Sequence, residues 1–314
     1  MTGKSPLSGC TMQSRQTRLV SVVAPVHNNA LELPQLIAEI QAALRPYEVE
    51  IVLVDDGSTD ASWAVIRQEK ARYRKLCTVR GIRLSRNFGQ HRAICAGLNA
   101  ARGDYIFVLD ADLQDDPAFM PEMLKLAMSG YHVVHARRRA GILNLRNLAS
   151  KIVYLIVTSA SEIPLHPGMG NYKLLSRQAL HAALQFQMYE PLFELMVAQA
   201  GFTPGFVDVI RRNRPGTASA YSLFAALGFI LRLLVNYSSL FFLAIIMIGV
   251  LFTCGAPILL WLAKEAKDCV PLAASSVFIA TGLLLVAAGI LGYYVRHLQL
   301  SNRNWPLYII EETI

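Results

Sequence analysis

The chain has 314 residues, 54% of them hydrophobic and 17% charged, and its mean hydropathy of +0.36 argues against a purely soluble globular protein. Lys and Arg number 30 against 22 Asp and Glu, a net charge of +8. With no Lys/Arg-rich, aromatic-interleaved motif, that charge points to anionic lipid or an anionic substrate and not to nucleic acid. The five cysteines, Cys10, Cys77, Cys95, Cys254 and Cys269, are odd in number and lack CxxC or Cys/His ligand spacing. That disfavours a disulfide framework and a structural zinc site, and places the polar part of the chain in a reducing compartment.

Met1 to Arg18 is polar, without an apolar run, and is expected to be a disordered tail, not a signal peptide. Strands are predicted at Leu19 to Pro25, Glu50 to Val54, Val79 to Leu84 and Tyr105 to Leu109, with helices between them at Leu33 to Leu44, Ala61 to Tyr73 and His91 to Ala101. Over residues 19–135, apolar, β-branched strands alternating with amphipathic helices imply an α/β, Rossmann-like arrangement. Its parallel sheet would be covered on both faces, with ligands at the C-terminal ends of the strands.

Leu143 to Thr158 and Tyr221 to Val235 are apolar stretches interrupted by Arg146, Lys151 and Arg232, the pattern of amphipathic helices in the headgroup region, near 143–158 and over 221–235. Neither Leu233 to Ala263 nor Cys269 to Val295 contains a charged residue, and each exceeds the roughly 20 residues a helix needs to cross a bilayer. Two transmembrane helices are therefore predicted within 236–295, at about 240–262 and 270–293. Their link, Lys264 to Asp268, has no net charge, whereas Arg211, Arg212, Arg214 and Arg232 precede the first span and Arg296 and Arg303 follow the second. The positive-inside rule puts the large domain and the tail 296–314 in the cytoplasm. Gly282, Gly289 and Gly292 in the second span would suit helix association into a homo-oligomer.

Asp55-Asp56-Gly57-Ser58-Thr59-Asp60 follows the second predicted strand, where its carboxylates would face the ligand crevice, able to hydrogen-bond a base or ribose, while Gly57 permits a tight turn. Pro25 to Asn29 ends at the same edge. After the fourth strand comes Asp110-Ala111-Asp112-Leu113-Gln114-Asp115-Asp116-Pro117. Alternation along an extended segment would put Asp110, Asp112 and Gln114 on one side, hard oxygen ligands suited to Mg2+ or Mn2+ bridging a diphosphate. Walker A, GxGxxG, GxSxG and HExxH sequences are lacking, so nucleotide hydrolysis, dinucleotide redox chemistry, the serine hydrolase reading and the zinc protease reading lose their main support.

On these residues, together with Arg86-Asn87-Phe88-Gly89-Gln90-His91, Ala96-Gly97-Leu98, Gly103-Asp104 and Trp305-Pro306-Leu307-Tyr308, the chain resembles the family 2 glycosyltransferases, in particular their polyprenyl-phosphate sugar transferases. The resemblance implies a GT-A catalytic domain over 19–220 with interfacial helices and a C-terminal two-helix membrane anchor in the inner membrane. It further implies inverting, metal-dependent transfer of one sugar from a nucleotide-diphosphate sugar, UDP-linked by the same likeness, to undecaprenyl phosphate. Pro25, Asn28, Asp55, Asp56, Arg86, Asn87, Gly89 and Asp110 would bind the nucleotide sugar, and Asp110, Asp112 and Gln114 the metal. Asp110 and Asp112, with Arg137 or Arg138, would carry catalysis, while Arg146, Ser150, Lys151, Arg211, Arg214, Ser219 and Tyr221 would receive the acceptor phosphate. The chain departs from the family pattern at His27, where Tyr is common, and at Asn171, where many relatives carry an acid. A processive polysaccharide synthase and a non-catalytic nucleotide-binding membrane scaffold are the alternative readings.

Overall fold

The computed structural model of the chain describes residues 18–138, 170–186, 191–210, 212 and 306–314, with scattered helical positions between 277 and 298. The first part alternates strictly: β1 (Leu19–Val26), α1 (Leu33–Ala43), β2 (Glu48–Asp55), α2 (Ser62–Tyr73), β3 (Thr78–Leu84), α3 (Gln90–Ala100) and β4 (Tyr105–Val108). A 3-10 turn at Pro117–Phe119 leads into α4 (Met120–Met128), then β5 (Val133–Arg138), β6 (Lys173–Ser176), α5 (Arg177–Leu184), α6 (Phe193–Gln199), β7 (Pro204–Val209) and β8 (Ile310–Thr313). The elements predicted up to residue 109 are all present, with ends that differ by a few residues at most.

All eight strands form one sheet in the order β7-β5-β6-β4-β1-β2-β3-β8. Strands β1 to β4 pair in parallel, as expected of buried apolar runs. The chain builds outward from β1 through β2 and β3, then returns to place β4 on the other side of β1, so β1 and β4 flank a topological switch point. One face is packed by α1, α2 and α4 through Leu36, Ile40, Ile66 and Met123 over Val20, Val22 and Phe107. The other is packed by α3, α5 and α6 through Ile94, Leu180 and Phe193 over Val23, Val52 and Val54.

The four predicted strands pair in parallel as expected, and two strands that the sequence reading did not place join them antiparallel. β6 runs antiparallel between β4 and β5, and β8 antiparallel along β3. The reason is connectivity, because neither strand is reached by a crossover to the opposite edge. β5 ends, and β6 begins, at the edge where β1, β2 and β4 end, so residues 139–172 leave and re-enter the sheet at that same edge. Residues 210–309 do likewise between the end of β7 and the start of β8.

The expected tail 296–314 thus ends in an edge strand. The Trp63 indole NH donates to Glu312 (3.0 Å), Arg67 pairs with the same carboxylate, and Gly81 exchanges backbone hydrogen bonds with Ile314. Residues 1–17, both predicted interfacial helices and the span 240–262 lie outside the described residues, as does most of 270–293. Among the described residues no helix is long and apolar enough to cross a membrane.

At the N-terminal edge of the sheet Glu50 is buried, accepting from the Ser21 hydroxyl (2.6 Å), the Arg102 NH (2.8 Å) and Arg80 (2.9 Å). Burial alone would raise its pKa, but these donors outweigh it and hold the carboxyl below its ordinary value. Glu50→Ala leaves Arg80 without its carboxylate and is expected to cost about 3–5 kcal/mol. A depressed carboxyl contributes stability above its unfolded value of 4.5 and loses it as pH falls through the lower folded value. Thermal denaturation of the two proteins should therefore converge as the medium is acidified below that range.

Candidate active site

Three loops meet where β1, β2 and β4 end, and short polar side chains hold them together. After β1, Asn28 takes a left-handed conformation (φ 56°). Its side-chain oxygen accepts from the Thr59 NH (2.9 Å) and the Asp60 NH (3.3 Å), while its own NH donates to the Ser58 hydroxyl (3.0 Å). After β2, Asp55 is fully buried and accepts from the Ser58 NH (3.0 Å). Asp56, also buried, accepts from the backbone NH groups of Phe88 (2.7 Å) and Gly89 (2.9 Å) and so fixes the approach to α3.

Gly57 follows these carboxylates with φ 65°, and a Cβ there would fall 2.5 Å from the Asn87 nitrogen and 2.6 Å from the Arg86 carbonyl carbon. Gly57→Ala combines backbone strain of about 1–3 kcal/mol with displacement of the 86–89 loop from Asp56. At about 1.4 kcal/mol per decade, a tenfold or larger rise in the KM for a nucleotide-sugar donor is expected in steady-state assays.

The segment after β4 is a turn. Leu113 has φ 59°, and the Gln114 NH donates back to Asp112 (3.1 Å). This corrects the extended alternation expected from the sequence. Asp110 and Asp112 both line the cleft, whereas Gln114 is not among its lining residues. Asp110 accepts from two side-chain amides, Gln90 (2.6 Å) at the start of α3 and Asn171 (3.2 Å) just before β6.

The cleft has a volume of about 450 Å³ and is walled by Pro25, Val26, His27 and Asn29 of the β1 loop, Asp56, the 87–90 approach to α3, and Asp110 to Asp112. Among the described residues its lining carries three carboxylates and no Lys or Arg. Among the described residues no group of three or more His, Cys, Asp or Glu side chains could hold a metal ion. Two carboxylates on one wall nevertheless fit a hard cation that completes its shell with substrate phosphates and water, as Mg2+ characteristically does. A diphosphate entering so acidic a cleft would need such a cation to offset charge repulsion.

Of the residues expected to bind a nucleotide sugar, Pro25, Asp56, Asn87, Gly89 and Asp110 line the cleft. Asn28 and Asp55 are not among the lining residues and staple its loops. Arg86 stacks its guanidinium over the Phe88 ring, 4.1 Å from the centroid. Arg137 is not brought to the cleft; it pairs with Asp208 of the neighbouring strand (2.7 Å) and lies over Phe206. Arg138 closes β5 opposite Val209. Arg146, Ser150, Lys151, Arg211, Arg214, Ser219 and Tyr221 lie outside the described residues.

Sequence reasoning did not assign His27, Asn29, Gln90 or Asn171 to the site, although all four stood in motifs or departures it had singled out. It also passed over Arg212. That residue's NH donates to the Gln114 carbonyl (3.0 Å), and its guanidinium pairs with Asp116 (2.8 Å) and Glu39 (2.7 Å). The stretch that follows β7 is thereby tied to the acidic turn.

Residues 21–193 match the model for "Glycosyl transferase family 2". The chain is 31% identical to an undecaprenyl-phosphate 4-deoxy-4-formamido-L-arabinose transferase of Photorhabdus laumondii, over 96% of both chains. It is also 31% identical to the like-named protein of Proteus mirabilis, over 94% of both. Among solved structures, the glucosyl-3-phosphoglycerate synthase of Mycobacterium tuberculosis in complex with UDP superposes with a TM-score of 0.50 at 18% identity, covering 69% of this chain and 79% of that one. This likeness shows a shared GT-A-like α/β fold.

Proposed function

We propose, since the chain belongs to glycosyl transferase family 2, that it transfers a single sugar from a nucleoside-diphosphate sugar to undecaprenyl phosphate, with inversion at the anomeric carbon. The observation that carries this reading is the acidic cleft at the β1/β4 switch point, with Asp110 and Asp112 on one wall. Its volume lies within the range of small-molecule sites. The nucleotide would lie along Pro25 to Asn29 and the 87–89 approach, with its diphosphate toward Asp110 and Asp112. These two carboxylates would hold Mg2+ or Mn2+, which when bound supplies charge stabilisation for the departing nucleoside diphosphate.

Asn171 suits this acceptor. A phosphate monoester is already anionic and nucleophilic at neutral pH, so attack on the anomeric carbon needs no side chain to remove a proton. The Asn171 amide instead donates to Asp110, as does Gln90. Both amides orient the Asp110 carboxylate at the position where a cation is wanted.

The names of the relatives support undecaprenyl phosphate as acceptor. Chain topology supports a membrane at the cleft edge, because both segments bearing the predicted interfacial and apolar stretches start and finish there. β8 also belongs to the same sheet as β1 to β7, so any membrane crossings between β7 and β8 must be even in number. Two spans, with the domain and both termini cytoplasmic, satisfy that condition. The scattered helical positions include exposed Val277, Leu284, Leu291 and Leu298, side chains that a bilayer would cover. In such an arrangement the domain meets, by proximity, a lipid that stays in the membrane.

The test is a transfer assay with the purified full-length chain, undecaprenyl phosphate, Mn2+ or Mg2+ and a panel of nucleotide sugars, with the anomeric configuration of the product read by NMR. A lipid monophosphate carrying one inverted sugar is expected. A long polymer would favour the synthase reading, and lack of transfer from every donor would favour the scaffold.

A further inference from the structure

We propose that the C-terminal strand β8 is a positioning element of the donor pocket, acting through Glu311 and Arg83 on Asp55; the functional part of this proposal rests on the donor reading above. Asp55 and Arg83 are register neighbours on β2 and β3, and Arg83 faces Glu312 across the β3/β8 pair. The Arg83 Nε lies 3.7 Å from the Asp55 Oδ2 and 3.6 Å from the Glu311 Oε2, beyond hydrogen-bond range of either acid. Both Arg83 Nε and Asp55 Oδ2 are buried and make no hydrogen bond among the described residues.

One guanidinium is therefore shared between an exposed acid of β8 and a fully buried acid of β2. The other Asp55 oxygen holds the Ser58 NH, and the Ser58 hydroxyl holds the Asn28 NH. Asn28 sits between His27 and Asn29, which line the cleft. Glu312 keeps β8 in place by binding the Trp63 indole and Arg67 and acts on Arg83 through its charge alone, while Glu311 is the β8 acid that pairs with Arg83. Without the Glu311 charge, the pull of Arg83 falls more heavily on Asp55. The guanidinium then draws that carboxylate away from Ser58, and the loops that carry His27 and Asn29 loosen. The strand that follows the predicted membrane segment would in this way be coupled to nucleotide affinity.

The experiment compares wild type, Glu311→Gln, Glu311→Asp, Arg83→Met and the double variant Glu311→Gln/Arg83→Met, each as full-length chain in lipid nanodiscs. Glu311→Gln is expected to raise the donor KM about two- to fivefold, the range that partly exposed ion pairs support. The kcat and acceptor KM should stay near wild type, and Glu311→Asp should restore the donor KM. In the Arg83→Met background the Glu311→Gln effect should vanish, as coupling through a shared partner requires. An unchanged donor KM, an equal effect in both backgrounds, or a loss of melting temperature with no change in donor KM overturns the proposal.

A second readout needs no substrate. Amide hydrogen exchange at Ser58 should quicken in Glu311→Gln, and unchanged exchange overturns the relay whether or not the wild type transfers sugar. Quickened exchange in a protein that transfers none would sustain the relay and contradict the donor reading.

Discussion

Replacing Asp112 by alanine is expected to lower sugar transfer by about 10²–10³-fold, the loss typical of removing one preorganised group that stabilises transition-state charge. The fold should be untouched, because the described hydrogen bond to the Asp112 side chain comes from the Gln114 NH of its own turn. Asp110 is different, since Gln90 and Asn171 both donate to it and tie α3 and the start of β6 to the cleft. Asp110→Ala should therefore lose activity and also disturb those two elements. Initial rates at saturating acceptor, paired with thermal melts, separate the effects. Near-wild-type transfer by Asp112→Ala would remove that residue from the chemistry.

An effect on stability as large as that at Glu50 is expected at Glu194. Lys173 in β6 is fully buried, lies over the Phe193 ring (4.6 Å) and pairs with Glu194 at the start of α6. His135 on β5 places its Nδ1 3.9 Å from the other Glu194 oxygen. Burial lowers the Lys173 pKa, and Glu194 opposes that shift. The group lies behind the site, for Lys173 pairs in register with Val108, at the end of the strand that leads to Asp110. Burial, and then the charge of Lys173, also lower the pKa of His91, next to Gln90. Glu194→Ala removes the only described ion-pair partner of Lys173 and is expected to cost about 3–5 kcal/mol. A matched Lys173→Met/Glu194→Leu pair should recover much of that loss, since apolar replacements of a buried ion pair are often neutral or stabilising. Chemical denaturation of the single and double variants reads the difference. Wild-type stability in Glu194→Ala would show that the pair contributes nothing.

The half of the sheet that builds the cleft was legible because a parallel strand buried on both faces must be an almost unbroken apolar run, as in β1 (LVSVVAPV) and β2 (EVEIVLVD). β8 carries no such signal. Its sequence IEET is largely exposed, and it docks through Arg67 and Trp63, which lie 245 and 249 residues earlier in the chain. The acidic motif after β4 was legible as chemistry but not as geometry. A left-handed Leu113 is disfavoured for that residue type, so the turn that moves Gln114 off the cleft wall leaves no mark in the sequence. Neighbouring cations were equally hard to tell apart. Arg211, Arg212 and Arg214 read alike in the sequence, and the clamp of Arg212 to Asp116 and Glu39 is set by partners more than 90 residues away.

Mass spectrometry of polyprenyl phosphates from bacterial membranes expressing the wild type or Asp112→Ala tests the central claim most directly, since it requires no prior choice of donor. The expected result is a polyprenyl monophosphate bearing one sugar, present with the wild type and lost in the variant. If both proteins are folded in the membrane, nucleotide sugars are supplied and no such lipid forms, single-sugar transfer to a polyprenyl phosphate is contradicted.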